Sequence, residues 1–239
     1  MPASNDDALD VASNRLLATL PDHDRDQLLV CLEPIEFTVR QPLYEPHKPI
    51  DHVYFPTGCV ISILAVVDDD QAVEVATVGI EGMIGIPLLL GTETSPDLVF
   101  CQIPGQALRM PAGPFRALAN GAGAIQALLQ RYTFAYVRQL SQGSACNRLH
   151  PVDQRCARWL LLTHDNTGGR DEFPLTQDFL AKMLGVRRAT VTEAAGRLQR
   201  AELISYHRGV IRILDRPGLE AAACQCYRII AKEYARLIG

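Results

Sequence analysis

The 239-residue chain contains no apolar run approaching the roughly 18 residues that a membrane span requires. Stretches such as residues 61–67 stop at charged residues, so no membrane partner is expected. The opening MPASNDDALDV has neither a basic start nor an apolar core; it does not read as an export signal, and a cytoplasmic location is expected. The seven cysteines (31, 59, 101, 146, 156, 224 and 226) are odd in number and scattered, so disulfides are not expected in that compartment. Four of them sit in apolar strand or helix patterns and read as small core residues. Cys224-x-Cys226 is the only close pair. Two residues apart on one helix, these thiols would point in different directions, so they are not expected to share a metal. The paired clusters of most four-ligand sites are missing too. So are the nucleophile elbow, the Walker loop and the dinucleotide fingerprint. A cupin-type metal centre wants two histidines one residue apart and a later third. Here His47 and His52 are five apart, and no histidine follows until 150. No enzymatic activity, cofactor or metal is expected.

What is present is ordinary in bulk and uneven in charge. The chain is 48% hydrophobic with a mean hydropathy of +0.04, which suits a globular protein, and its length suggests two domains. Residues 1–147 hold 8 Lys/Arg against 17 Asp/Glu, whereas residues 148–239 hold 15 against 10. An acidic front joined to a basic rear implies that only the rear meets a polyanion.

The hydrophobic period changes twice along the chain. Residues 9–32 have helical spacing, interrupted at Pro21, with acidic residues after it suited to a helix N-terminus. From Pro34 the period is two: IEFTVR, HVYFP, CVISILAVV, QAVEVATVG, LVFCQI and QALRMP read as short strands of a small barrel or sandwich, with a hairpin turn at Asp68-Asp69-Asp70. After Pro114 the helical period returns. Residues 123–146 lack proline and place Ile125, Leu128, Leu129, Tyr132, Ala135, Tyr136 and Leu140 at three- and four-residue steps. That stripe exceeds the needs of a small sheet, and pairing in a homodimer is the expected use; packing within the chain is the alternative. A further helix precedes Gly168-Gly169, and residues 218–238 read as one final helix.

Between them lies LTQDFLAKMLGVRRATVTEAAGRLQRAELI, two short amphipathic helices broken at Gly185. Val191, Ala194, Ala195 and Leu198 anchor the second helix, with Arg188, Thr192, Glu193 and Gly196 on another face. The segment LISYHRGVIRIL then supplies two β segments around His207-Arg208-Gly209. Helix, glycine turn, helix and hairpin is the layout of a winged helix-turn-helix. In such a module the N-terminal part of the second helix reads base edges, here Arg188, Ala189, Thr192 and Glu193. Thr176, Arg187, Thr190 and Arg208 are the expected phosphate anchors.

With these motifs in order, nearly the whole chain resembles the Crp/Fnr family of bacterial transcription regulators. RQPLYEPHKPIDHVYFPTGCVISIL resembles the family's opening β-roll segment, and Thr176, Leu180, Ala181, Gly185, Arg188, Thr190, Val191 and Leu198 match its helix-turn-helix. The resemblance implies an α+β architecture: an antiparallel, cyclic-nucleotide-binding-like β-roll with N-terminal helices (1–120), a long dimerisation helix (121–148) and a C-terminal winged helix (149–239). It implies a homodimer on double-stranded DNA bearing an inverted repeat, with RNA polymerase as a further partner. Three departures qualify it. Gly85 is followed by Ile86 where nucleotide-binding members carry Glu, and no basic residue occurs between Lys48 and Arg109, so a cyclic phosphate would lack its charge partner. Cys31 is the only cysteine before position 59, so clustered iron–sulfur ligands are absent. His47, His52 and Cys59 are the β-roll's haem candidates and read as structural; Cys146 and Cys156 are candidates for exposed, oxidisable thiols. Across the recognition helix the family's Arg-Glu-Thr-Val-x-Arg becomes Arg188-Ala189-Thr190-Val191-Thr192-Glu193, which implies a different half-site. The competing reading is a signalling module that binds a protein through its β-roll and long helix without using DNA.

Overall fold

The structure is a computed structural model describing residues 11–68 and 71–239. After a 3-10 turn (Val11–Ser13) come two short helices, α1 (Arg15–Ala18) and α2 (Asp22–Leu29). The helical stretch expected over residues 9–32 is interrupted at Pro21, as its sequence implied, with Pro21 standing just before α2 as its N-cap; positions 9 and 10 lie outside the described residues. Asn14 fixes this segment to the body of the protein. Fully buried, it caps α1 by accepting from Leu17 N at 3.0 Å and donates to Pro56 O and Gly82 O at 2.8 and 2.9 Å.

The six alternating segments form strands as expected, β1 (Glu33–Phe37), β3 (His52–Pro56), β4 (Val60–Asp68), β5 (Gln71–Val78), β6 (Leu98–Ile103) and β7 (Gly105–Pro111), and a further short strand, β2 (Pro42–Tyr44), lies between the first two. They make two antiparallel sheets, β1-β7-β3 and β2-β6-β4-β5. The turn expected at Asp68-Asp69-Asp70 lies outside the described residues beyond the strand end at Asp68. Period-two alternation sends Val53 and Phe55 of β3 inward beside Met110 of the neighbouring β7, together with Ile61 and Cys101 of the other sheet. A short helix, α3 (Ile86–Leu89), interrupts the roll between β5 and β6, and α4 (Ala112–Ala119) closes it.

Helix α5 (Ala124–Leu149) then crosses the molecule, followed by α6 (Val152–Asn166). The winged module comprises β8 (Glu172–Pro174), α7 (Gln177–Leu184), α8 (Arg188–Arg200), β9 (Ile204–His207) and β10 (Val210–Ile213), its sheet ordered β8-β10-β9. Strand β8 escapes sequence reading because three residues are too few to show alternation. The chain ends in α9 (Arg216–Ala222) and α10 (Cys226–Ile238).

Two expectations are corrected here. Residues 218–238 are not one helix: Ala223 is extended (φ −77°, ψ 154°) and separates α9 from α10, so Cys224 and Cys226 are not two positions on one regular helix. The apolar stripe of α5 is also spent inside the chain. Ile125, Leu128, Leu129, Tyr132 and Ala135 are buried in the β-roll core, where the Tyr132 hydroxyl donates to Met83 O at 2.8 Å. Tyr136 and Leu140 pack half-buried against the same core, and α10 lies along α5. These seven residues are therefore committed to intrachain packing rather than presented to a second copy. The return of α10 onto α5 accounts for the excess of apolar face that the sheet alone did not require. Phe134 and Val137, on the other side of α5, are 50% and 47% exposed.

The winged module is docked onto the roll. Val60, Leu64 and Ile103 share one core with Trp159, Leu160, Leu180, Met183 and Leu184. Phe100 of β6 meets Phe179 of α7 edge-on, with ring centroids 5.9 Å apart. In the same contact, Glu74 of β5 accepts from Trp159 Nε1 at 2.7 Å and from Ser62 Oγ at 2.8 Å.

Candidate nucleic-acid interface

The first helix of the pair, α7, starts at an N-cap: Thr176 Oγ1 accepts from Phe179 N at 3.2 Å. It stops at Gly185, whose φ of 62° places it in the left-handed region, and Val186 N returns to Ala181 O at 3.0 Å. Buried Arg155 of α6 donates to Leu184 O, adding a cation at this C-terminus. With α7 held at both ends, the turn delivers α8 with Val191, Ala194, Ala195 and Leu198 inward; the two alanines leave room for α8 to lie close to the elements beneath it.

The outward face of α8 is the expected one. Arg187, Arg188, Ala189, Thr192 and Glu193 are exposed, and Thr190 is half-buried. Arg208 is exposed at the wing tip with φ 48°, beside Gly209 at φ 78°. Thr176 is exposed as well; its oxygen is engaged in the cap, while its hydroxyl can still donate to a phosphate.

Several contacts at this face carried no sequence signal. Thr192 Oγ1 donates to Gln177 Oε1 at 2.8 Å, which ties the middle of α8 to the start of α7. Asp178 Oδ2 lies 3.4 Å from Arg188 Nη1, with both side chains more than 60% exposed. A solvated pair of this kind is weak, so Asp178 orients Arg188 while leaving it free to exchange partners. Arg197 and Arg200 extend the basic face, Arg197 lying 3.6 Å from Asp153. Their contacts join residues distant in sequence, and periodicity is blind to them.

The β-roll carries a cavity of about 260 Å³ beside α3, lined in part by Tyr44, Gly85, Ile86, Ser95, Asp97 and Tyr136. No Lys, Arg or His lines it. An anion here would meet the carboxylate of Asp97 and the phenols of Tyr44 and Tyr136. The haem candidates do not converge. Cys59 is fully buried and His47 is exposed, and among the described residues neither belongs to a group of ligands within reach of a common ion. Cys146 and Cys156 are both fully buried, which corrects their expected exposure.

Residues 154–222 match the Crp-like helix-turn-helix domain. No curated protein matches the chain. Among solved structures, a putative Crp/Fnr-family transcriptional regulator from Eubacterium rectale is similar at 14% identity and TM-score 0.66, over 88% of this chain and 98% of that one. FixK2 from Bradyrhizobium japonicum is similar at 13% identity and TM-score 0.68, over 81% and 98% of the two chains. A Crp/Fnr-family regulator from Thermus thermophilus is similar at 22% identity and TM-score 0.64, over 80% and 98%. At these identities the likeness establishes the fold. No described helix is long and apolar enough to cross a membrane. Residues 154–222 are thus a Crp-like helix-turn-helix domain, and the antiparallel roll, long helix and winged module together have the fold of solved Crp/Fnr-family regulators.

Proposed function

We propose that the protein is a non-enzymatic, cytoplasmic transcription regulator that binds an inverted repeat in double-stranded DNA as a homodimer and engages RNA polymerase there. The observation that carries this reading is the outward face of α8. It presents Arg187, Arg188, Ala189, Thr192 and Glu193 to solvent on a helix whose opposite face is wholly engaged. Arg188 suits bidentate bonding to guanine, and Glu193 suits acceptance from cytosine N4. Arg187, Thr176, Thr190 and Arg208 flank these as phosphate anchors. The division at 1–120, 121–148 and 149–239 is the working unit of this proposal: sensor roll, connecting helix, reading head.

The pairing surface of the dimer is the side of α5 that carries Phe134 and Val137, since the other side is consumed within the chain. Two recognition helices about 34 Å apart would then enter successive major grooves. The effector of the roll is not a cyclic nucleotide, because its cavity offers no cation to a phosphate.

Selection of bound DNA from a random duplex pool by the purified, ligand-free protein tests this directly. Repeating it at two salt concentrations separates phosphate contacts from base reading. Recovery of a palindromic motif is expected. A pool that stays random at both salts, with binding that merely weakens as salt rises, would refute sequence-specific reading.

A further inference from the structure

Three cysteines form a small buried cluster of their own, outside the two apolar cores: Cys146, Cys224 and Cys226. Packing alone gives no reason for thiols distant in sequence to gather apart from the main cores. Cys146 lies near the end of α5, and His150 caps that helix one turn later. Cys224 occupies the break between α9 and α10, and Cys226 begins α10. The extended backbone at Ala223 ends α9, so Cys224 is free of helix geometry and clusters with Cys226 and with Cys146 of α5.

Their ligand atoms converge. Cys146 Sγ is 3.4 Å from Cys224 Sγ, and Cys226 Sγ is 3.5 Å from His150 Nδ1. All four lie within 4.8 Å of one another. A tetrahedral zinc ion with bonds of roughly 2.3 Å to sulfur and roughly 2.0 Å to nitrogen spaces its ligands about 3.5–3.8 Å apart. The four atoms therefore stand at that spacing or about 1 Å beyond it. Three soft thiolates and one imidazole form a Cys3His donor set, which selects zinc over hard cations.

The surroundings suit a closed site. Gln142 Nε2 donates to Cys226 Sγ at 3.1 Å, the kind of outer hydrogen bond that orients a ligand. Zinc with three thiolates carries one net negative charge. Arg158 lies close enough to act electrostatically on both Cys146 and Cys224. The buried Nε atoms of Arg155 and Arg158 have no hydrogen-bond partner.

We propose that Cys146, His150, Cys224 and Cys226 bind one zinc ion as a structural site, tying the end of α5 to the α9–α10 junction. On binding, each thiol releases its proton to solvent and becomes a thiolate. His150 binds as the neutral imidazole through Nδ1, so three protons leave for each ion taken up. The site is independent of the DNA-binding reading and would persist if that reading failed.

The test uses the full-length protein, reduced, stripped of metal with a chelator and titrated with Co2+ and then Zn2+. One Co2+ per chain is expected, with the visible bands of tetrahedral cobalt and a near-ultraviolet thiolate charge-transfer band, both abolished by one equivalent of Zn2+. Cys31→Ser should retain the full spectrum, because Cys31 lies apart from the cluster. Cys224→Ser should lose most of the charge-transfer band. His150 is half-buried and caps α5 through its backbone N–H, which His150→Gln retains; that variant should weaken zinc at least tenfold while circular dichroism stays unchanged. Three outcomes overturn the proposal. One is stoichiometry far below one ion per chain; another is cobalt bound without thiolate bands. The third is a Cys146–Cys224 disulfide, lighter by two hydrogens, in zinc-free protein isolated without reductant.

Discussion

Glu74 offers a sharp check on how the roll and the reading head are joined. Its carboxylate accepts from Trp159 Nε1, and Trp159 is the only tryptophan in the chain. Burial in the joint raises the Glu74 pKa from 4.5 to about 7, against the downward pull of the Ser62 and Trp159 hydrogen bonds and of Arg158. Below pH 4.5 the group is protonated in the folded and unfolded chain alike and contributes nothing. Between 4.5 and 7 the unfolded chain releases the proton and the folded chain keeps it, so stability falls as pH rises. Above 7 both states are ionised, and the loss levels off at about 3 kcal/mol, from 1.36 kcal/mol per unit. Glu74→Gln keeps an acceptor for the indole and removes the charge. Its stability relative to the native chain should be near zero at pH 4.5 and climb to as much as about 3 kcal/mol in its favour at pH 8. Denaturant unfolding of both proteins across this range measures the difference. Glu81 also titrates near 7 and cancels in the comparison. Trp159 emission should step with a midpoint near pH 7 in the native chain and not in the variant. A variant that is less stable at pH 8, or a difference that does not change with pH, would refute this account of the joint.

Further outcomes are expected elsewhere. Asn14→Ala removes the α1 cap and leaves Pro56 O and Gly82 O buried without their donor, so it should cost about 2–4 kcal/mol in denaturant unfolding. Gly185→Ala has room for its Cβ, the nearest atom being Val73 Cγ1 at 3.7 Å, so only the left-handed backbone is strained; a loss of about 1–2 kcal/mol is expected. Arg188→Ala should cost roughly 1–3 kcal/mol of DNA binding and relax preference at one base pair, whereas Arg208→Ala should weaken binding across all sequences and lower the salt slope by about one. Unchanged preference in Arg188→Ala would remove that residue from the base-reading set. Phe134→Glu should convert a dimer to a monomer in light scattering without changing the circular dichroism spectrum, because Phe134 is half exposed.

Local chemistry made the reading head legible. Gly185, the small inner alanines and the arginines at the start of α8 sit within thirty consecutive residues, and each acts through helix geometry that repeats every few positions. Strands of four residues or more were legible for the same reason, since alternation needs only neighbours, whereas β2 and β8 were too short to show it. The contacts at the head's outer face were not: Gln177 meets Thr192, and Asp178 meets Arg188, across the turn.

The sequence by itself determined the succession of roll, long helix and winged module, the two changes of hydrophobic period, the acidic and basic halves and the inward and outward faces of α8, because these depend on interactions a few residues long. Tertiary structure alone decided where α5 spends its apolar stripe, since that depended on α10 returning from more than ninety residues away to cover it. It alone also decided that Cys146, His150, Cys224 and Cys226 meet. Two cysteines two positions apart diverge on a continuous helix; here the helical path is broken between Ala222 and Cys226, so that Cys224 lies outside both helices while Cys226 begins α10, and both come to cluster with Cys146.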